Sequence, residues 1–507
     1  MVAANPFDIA ELERRIESSR AAWSNVGVAV SVVLGGEVLL ARGFGARQFG
    51  LTSPVNGDTL FQVGSTTKAF TTAALALLVD EGRLGWDDRI IDWLPRFRLK
   101  DPWLTRELTI RDAASHRSGF SHSPWPFLAV MSRDEVIGQL RHLLPEGRFR
   151  DCFVYSNLMY ALLGQVIESA SGIGWDEFIA SRLFRPLRMH RSRTSPYSVW
   201  QVEHVAPTFL GTARTERPTM TLARDTNVAM PHRRSLDGQT HVLPWQSYDN
   251  AAPAGAVISS AADMARWMIL YAGEDRFDGA PLISPQTLHE LTAPQNAKAP
   301  RSAPPLSSEG AYTLGWFRTQ YAGQVCLLHG GGMLGFPAFV ALLPEKKLGV
   351  AVLSNTSGTE DALFLKSIVF EVFDLTLGAA PQQWATQFTN QLRATEATRR
   401  KAILAEQNSR IPDTRPSRPL DDYAGLYRCL RACPEDITIA HRGGRLYLRF
   451  AGEGAFSAEL QHWHHDVFRV ASDIADEVFG SQFATFSLGP QGRVTAVEAF
   501  SAIFHKV

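Results

Sequence analysis

Apolar and polar residues alternate along this chain with a period that changes several times. Phe7, Ile9, Leu12 and Ile16, with charges between them, repeat at the spacing of one helix face. VGVAVSVVLGGEVLLARGFG then carries two β-branched runs around Gly35-Gly36 and predicts a hairpin. The stretch FQVGSTTKAFTTAALALLVDEG, Phe61 to Gly82, is apolar on every side and predicts a buried helix beginning near Ser65. From about Trp86 to Ala206 the pattern is mostly helical, broken by Pro and Gly. Thr109 is placed as an N-cap, and NLMYALLGQVIESASG reads as an apolar helix closed at Gly172. Residues 207–305 are rich in Pro, Thr, Asn and Ser and predict loops. Strands return with YTLGWFRTQ, QVCLLHGGG, FPAFVALLP and KLGVAVLSN, followed by the helix EDALFLKSIVFEVFDLTLG.

Antiparallel strands at both ends of a helical middle imply an α+β domain, with an antiparallel sheet flanked by helices and a helical subdomain. Its sheet is completed by distant parts of the chain. The expected division is 1–380 for this domain, 381–419 for a helical linker and 420–507 for a small all-β, barrel-like domain. The linker is expected from the Ala- and Gln-rich stretch 382–407 and the loop NSRIPDTRPSRP after it. The last domain is expected from short alternating strands with Gly443-Gly444 as a turn. A chain of 507 residues is also too long for one ordinary core.

Composition narrows the function by exclusion. Lys plus Arg and Asp plus Glu balance at 51 each, so no global field draws the chain to nucleic acid or an anionic membrane. No apolar run approaches the length of a membrane span. The N-terminus lacks the basic and apolar regions of a secretory signal. Cys152, Cys326, Cys429 and Cys433 form no disulfide framework, and a cytoplasmic, reduced protein is expected.

Only eight residues are lysines, and one of them, Lys68, sits in the apolar helix. Lysine is among the residues least often buried. Ser65 lies three positions earlier and therefore on the same helix face. This is the one S-x-x-K in the chain. Burial disfavours a charged amine, and a neutral lysine can take a serine's proton. The N–H of a serine at a helix start is one of the unbonded donors there and can receive an oxyanion.

Other blocks share this setting. LTIRDAASHRSGF, YSNLMYALLGQVIESASG, PAGAVISSAADMARWM and HGGGMLGFPAFVALLPEKKLGVAVLSN come after the Ser65 segment in the order seen in one known group. On these blocks the chain resembles the serine β-lactamase and penicillin-binding-protein family, in its class C and esterase-like branch, over roughly residues 7–378. The resemblance implies the β-lactamase/transpeptidase-like fold and an acyl-enzyme on Ser65. It makes Lys68 the proton partner, Tyr155 the phenol that joins it, and Asn157 a polar substrate contact. It places His329, Gly330 and Gly331 where relatives carry K-T-G, and gives the second oxyanion N–H, beside that of Ser65, to Gly332. Histidine in place of lysine is the form of several esterases and D-aminopeptidases of the family. The expected activity is thus ester or amide hydrolysis of the esterase or D-amino-acid peptidase type, with weak or no β-lactamase activity. The C-terminal region resembles the lipocalin-like domain appended to some family peptidases, where it limits substrate size.

Two of these patterns occur a second time. Tyr248-Asp249-Asn250 repeats Y-x-N but lies in a Pro-rich segment with no apolar helix after it, so Tyr155 is preferred and Tyr248 is a pocket-lining candidate. His441-Arg442-Gly443 repeats H-x-G at a hairpin turn and is expected to be structural. His462 and His464 share a strand face, yet no third ligand stands nearby, so no metal and no cofactor are expected. The expected partner is a small ester, amide or short peptide, with a homo-oligomer possible and no nucleic acid or membrane. Two alternatives carry the same residues: an acyltransferase using the same acyl-enzyme, and a non-catalytic scaffold.

Overall fold

The computed structural model describes residues 8–121, 125–213, 223–272, 280–358, 361–380, 382–429 and 436–507. Seven strands form the central sheet: β1 (Gly27–Leu34), β2 (Glu37–Gly45), β3 (Ala311–Tyr312), β4 (Phe317–Tyr321), β5 (Gln324–Met333), β6 (Phe336–Leu343) and β7 (Leu348–Ser354). Their order is β2-β1-β7-β6-β5-β4-β3, and every pairing is antiparallel. The N-terminal hairpin turns at Gly35 and Gly36, both with positive φ, and joins the C-terminal strands along β1.

β1, β6 and β7 are buried on both faces, which explains their unbroken apolar reading. Successive side chains point to opposite sides. Val28, Val30 and Val32 meet one core, shared with Leu12 and Ile16 of α1 (Ile9–Ala22). Ala29 and Val33 face the other core, which holds α2 (Thr67–Asp80), α3 (Asn157–Ser171) and α4 (Ala261–Tyr271). α5 (Asp361–Leu377) covers the first face beside α1. Phe7 lies outside the described residues.

Thr109 caps Ile110–Ala114 in a capping box with Asp112, and α3 ends at Gly172 with φ 80°. The stretch 207–305 is more ordered than its composition suggests. It contains a short hairpin, His232–Arg234 with Thr240–Val242, the helix α4, and the helix Pro285–Thr292. Ser260 and Ser284 cap the two helices, so a local start signal precedes each one.

α6 (Trp384–Asn408) leads to an eight-stranded closed barrel. Its strands are β8 (Gly425–Cys429), β9 (Ile437–Arg442), β10 (Arg445–Phe450), β11 (Ser457–His464), β12 (Val467–Ala471), β13 (Phe483–Leu488), β14 (Val494–Ala499) and β15 (Ala502–Lys506). β8 pairs with β15, so no edge is left open. A helix absent from the strand reading, α7 (Asp473–Phe479), interrupts the barrel between β12 and β13. Cys429 is disulfide-bonded, against the expectation of a fully reduced chain, and Cys433 lies outside the described residues. Among the described residues no helix is long and apolar enough to cross a membrane.

Candidate active site

Ser65 is not the first residue of an α-helix. It sits in a 3₁₀ turn, Gly64–Thr66, that α2 continues from Thr67. The turn is reached from the short strand Phe61–Gln62, which pairs with Ile258–Ser259. Gly64 has φ +53°, and a Cβ there would stand 2.4 Å from the backbone N of Gly332. A Cβ on Gly331 would stand 1.9 Å from the carbonyl oxygen of Val63 and 3.2 Å from the N of Ser65. The glycines thus let the end of β5 close directly onto the serine turn.

Lys68 is fully buried, one turn on from Ser65. Its Nζ lies 2.8 Å from Asn157 Oδ1, 2.8 Å from the carbonyl of Ala254 and 3.2 Å from Ser65 Oγ. Burial pushes its pKa well below the usual lysine value. All three neighbours are uncharged, and two can only accept. A neutral amine has two N–H bonds, and Asn157 Oδ1 and the Ala254 carbonyl take both. In that neutral form the lone pair faces the Ser65 hydroxyl; as an ammonium, Nζ donates to Ser65 Oγ instead. The rings of Tyr155 and Tyr160 flank the amine, 4.7 and 5.3 Å from Nζ.

Asn157 begins α3, whose N-cap Ser156 accepts from the N–H of Met159. Burial pushes the Tyr155 phenol up, and a hydrogen bond with the Ser65 hydroxyl partly offsets this. Tyr155, Asn157, Lys68 and Ser65 therefore meet at one point. Tyr248 joins them. Its phenol, pushed up by burial, hydrogen-bonds the side chain of Asn157. Its ring lies over Gly255, where a Cβ would come within 3.1 Å of Cδ1. The two Y-x-N segments converge on the same lysine from two sides.

His329 lies in the wall of the site, 2% exposed. Its Nδ1 stands 2.6 Å from the carbonyl oxygen of Gly330. A carbonyl only accepts, so Nδ1 carries the proton and Nε2 accepts from the Tyr312 hydroxyl at 3.1 Å. Both nitrogens are engaged within the protein. Burial, with Lys68 nearby, pulls its pKa down to about 3. His116 was not singled out from the sequence, although it stands in the LTIRDAASHRSGF block. It is fully buried, its Nδ1 accepts from the N–H of Ser156 at 3.1 Å, and its ring packs 4.3 Å from that of Tyr155. Burial and the neighbouring Lys68 hold it well below the usual histidine pKa.

The remaining candidates lie in the barrel. His441 pairs through Nδ1 with Asp421 at 2.6 Å. His462 bonds the carbonyl of His465, while His464 accepts from the N–H of Ile411.

Residues 12–372 match the family model described as Beta-lactamase, and residues 409–506 match one described as a domain of unknown function (DUF3471). An unguisins hydrolase of Aspergillus violaceofuscus (strain CBS 115571) is 26% identical over 449 residues, which is 84% of this chain and 75% of that protein. Penicillin-binding protein 4 of Amycolatopsis lactamdurans is 31% identical over 271 residues, 51% of this chain and 69% of its own length. Among solved structures, an octameric penicillin-binding protein homologue from Pyrococcus abyssi superposes with a TM-score of 0.62 at 22% identity, covering 99% of this chain and 100% of that one. A D-amino acid amidase from Ochrobactrum anthropi SV3, complexed with L-phenylalanine, gives a TM-score of 0.55 at 21% identity, covering 75% of this chain and 99% of that one.

Proposed function

The chain belongs to the beta-lactamase family, and from that premise we propose that it is a serine hydrolase cleaving a neutral ester or amide through an acyl-enzyme on Ser65. The observation that carries this reading is a fully buried Lys68 with no charged partner among its contacts, its Nζ 3.2 Å from Ser65 Oγ and its other two contacts oxygens that only accept. Lys68 takes the hydroxyl proton as Ser65 Oγ bonds to the substrate carbonyl. The oxyanion that forms is received by the N–H groups of Ser65 and Gly332. The proton passes by way of Tyr155 to the leaving alcohol or amine as the scissile bond breaks. Water then attacks the acyl-enzyme and restores the serine. Residues 1–380 form the reacting unit in this reading, 381–419 the connection and 420–507 the barrel module.

The substrate class is set by charge. The residue standing where relatives carry a lysine is a buried, neutral imidazole with both nitrogens occupied. It offers no charge to a carboxylate, whose desolvation would go uncompensated. Neutral short-chain esters and amides are therefore favoured over penicillins and cephalosporins. The likeness to an unguisins hydrolase supports hydrolysis as the reaction.

Intact mass spectrometry tests the reading. The protein is incubated with a fluorophosphonate and with a panel of p-nitrophenyl esters, D-amino acid amides and β-lactams. A single acyl adduct on Ser65 from the neutral substrates, absent in Ser65→Ala, is the expected result. Labelling retained in Ser65→Ala would refute the assignment of the nucleophile. Efficient penicillin turnover would refute the substrate class.

A further inference from the structure

We propose that the barrel buttresses the reacting groups through Tyr248, so that Phe479 is a positioning residue for a site it does not touch. This rests on the reading of Ser65 and Lys68 as the reacting pair. Two of the three neighbours that orient Lys68 lean on Tyr248. Its phenol interacts with the Asn157 side chain, and its ring lies on Gly255, next to the carbonyl of Ala254. Tyr248 is 4% exposed and is itself held by rings. Phe127 stacks on it at 5.6 Å and 25°, and Phe209 meets both edge-on. Phe127 is also met edge-on by Phe479, the last residue of α7 in the barrel, at 6.1 Å and 78°.

The backbone contacts fix this stack in register. The loop after β10 is stitched to the two segments that carry the rings. The N–H of Phe456 donates to the carbonyl of Leu128, and the N–H of Thr212 donates to the carbonyl of Gly454, each at 2.9 Å. Between those segments the N–H of Leu210 donates to the carbonyl of Phe127, also at 2.9 Å. At the seam the glycines answer one another. A Cβ on Gly211 would stand 2.4 Å from the oxygen of Gly454, and one on Gly454 would stand 2.8 Å from Pro207. At this seam the barrel is seated by backbone hydrogen bonds, with Pro207 and Val130 packed close against its glycines. A displacement of α7 therefore moves Phe127, and with it Tyr248 and the two groups that aim the Lys68 lone pair.

A double-mutant cycle on the full chain tests this, reading the rate of Ser65 acylation by a fluorophosphonate and by a p-nitrophenyl ester. Phe479→Ala is expected to slow acylation about tenfold with KM within about twofold, and Phe479→Tyr to restore most of the rate. Tyr248→Leu, which removes ring and hydroxyl, is expected to slow it at least about tenfold. Adding Phe479→Ala to Tyr248→Leu should then cost less than about twofold more, because the intermediary is already gone. If Phe479→Ala does not fold, Gly454→Ala unseats the same joint and is expected to show the same slowing and the same coupling. Leu488→Ala, at an exposed barrel position, is the control and should leave the rate unchanged. Fully additive losses, or a folded Phe479→Ala that acylates within twofold of wild type, would overturn the buttress. Failure of the wild type to label at Ser65 would instead overturn the reading of the reacting pair.

Discussion

Tyr155-Ser156-Asn157 and Tyr248-Asp249-Asn250 share a spacing and differ in the elements they open. The first runs into a fifteen-residue helix, with Ser156 as a buried neutral cap. The second runs into a 3₁₀ turn, Asp249–Ala251, and a four-residue helix, Ala252–Gly255. A capped, buried helix fixes its first residue firmly, and Asn157 reaches Lys68 directly. The second segment reaches the lysine indirectly, through Tyr248 beside Asn157 and through the carbonyl of Ala254 in the helix that it opens. Its middle residue is a carboxyl in a dry site. Burial raises Asp249 to about 6, although Ser195 donates to Oδ2 at 2.5 Å. Oδ1 has no hydrogen-bond partner. The same three-letter pattern thus touches Lys68 directly in one place and lies behind its neighbours in the other.

Removing the group that both segments serve should have the largest effect. Lys68→Met is expected to slow acylation of Ser65 by about 10³-fold or more, within the range of an acid–base group, while leaving circular dichroism unchanged. The two tyrosines then separate the segments. Tyr155→Phe should slow acylation about 10²-fold, and Tyr248→Phe about tenfold, since it loses one bond to Asn157 and keeps its ring. The reverse order in single-turnover kinetics would exchange the roles of the two segments.

Asp249 supplies a test that does not depend on activity. Its folded pKa lies above the unfolded value, so the folded state binds the proton more tightly. Stability is then lost as pH rises from about 4 through about 6, and the deficit is complete above that. The shift, which already includes the bond from Ser195, is worth at most about 3 kcal/mol. Asp249→Asn is expected to stabilise by about 1–2 kcal/mol at pH 8 and by almost nothing near pH 4. Urea midpoints at the two pH values check the sign. The smallest effect is expected at the second segment's last residue. Asn250→Ala should change acylation less than about threefold, and Asn157→Ala clearly more.

Ser65 and Lys68 could be paired from the chain because the pairing is local: two residues three positions apart, across a 3₁₀ turn and the first turn of α2, need no tertiary knowledge. Tyr155 could be ranked above Tyr248 because the apolar helix after it is written in the next residues. What Tyr248 touches was not legible, since Asn157 lies far away in sequence and the segments between are rich in Pro and Ser. The same holds for His329. Its replacement of lysine was visible, but its tautomer depends on Tyr312, brought alongside by β3 and β4. His116 gave no signal, although it stands in a block shared with the family, because its partner is a backbone N–H with no sequence signature. In the barrel the strand rhythm was readable. Closure through β8 and β15 was not, and neither was α7, which gives the structure its link to Tyr248.

The meeting of Gly211 and Gly454 constrains descent. Gly211 is required by the carbonyl of Gly454, and Gly454 by its φ of +77° and by Pro207 and Thr212, so a side chain at either position unseats the joint. A chain whose barrel is seated in this way is expected to carry glycine at both positions, position 211 being crowded by Thr208 as well as by the barrel. The pair is a two-letter signature to seek in related chains that keep a barrel.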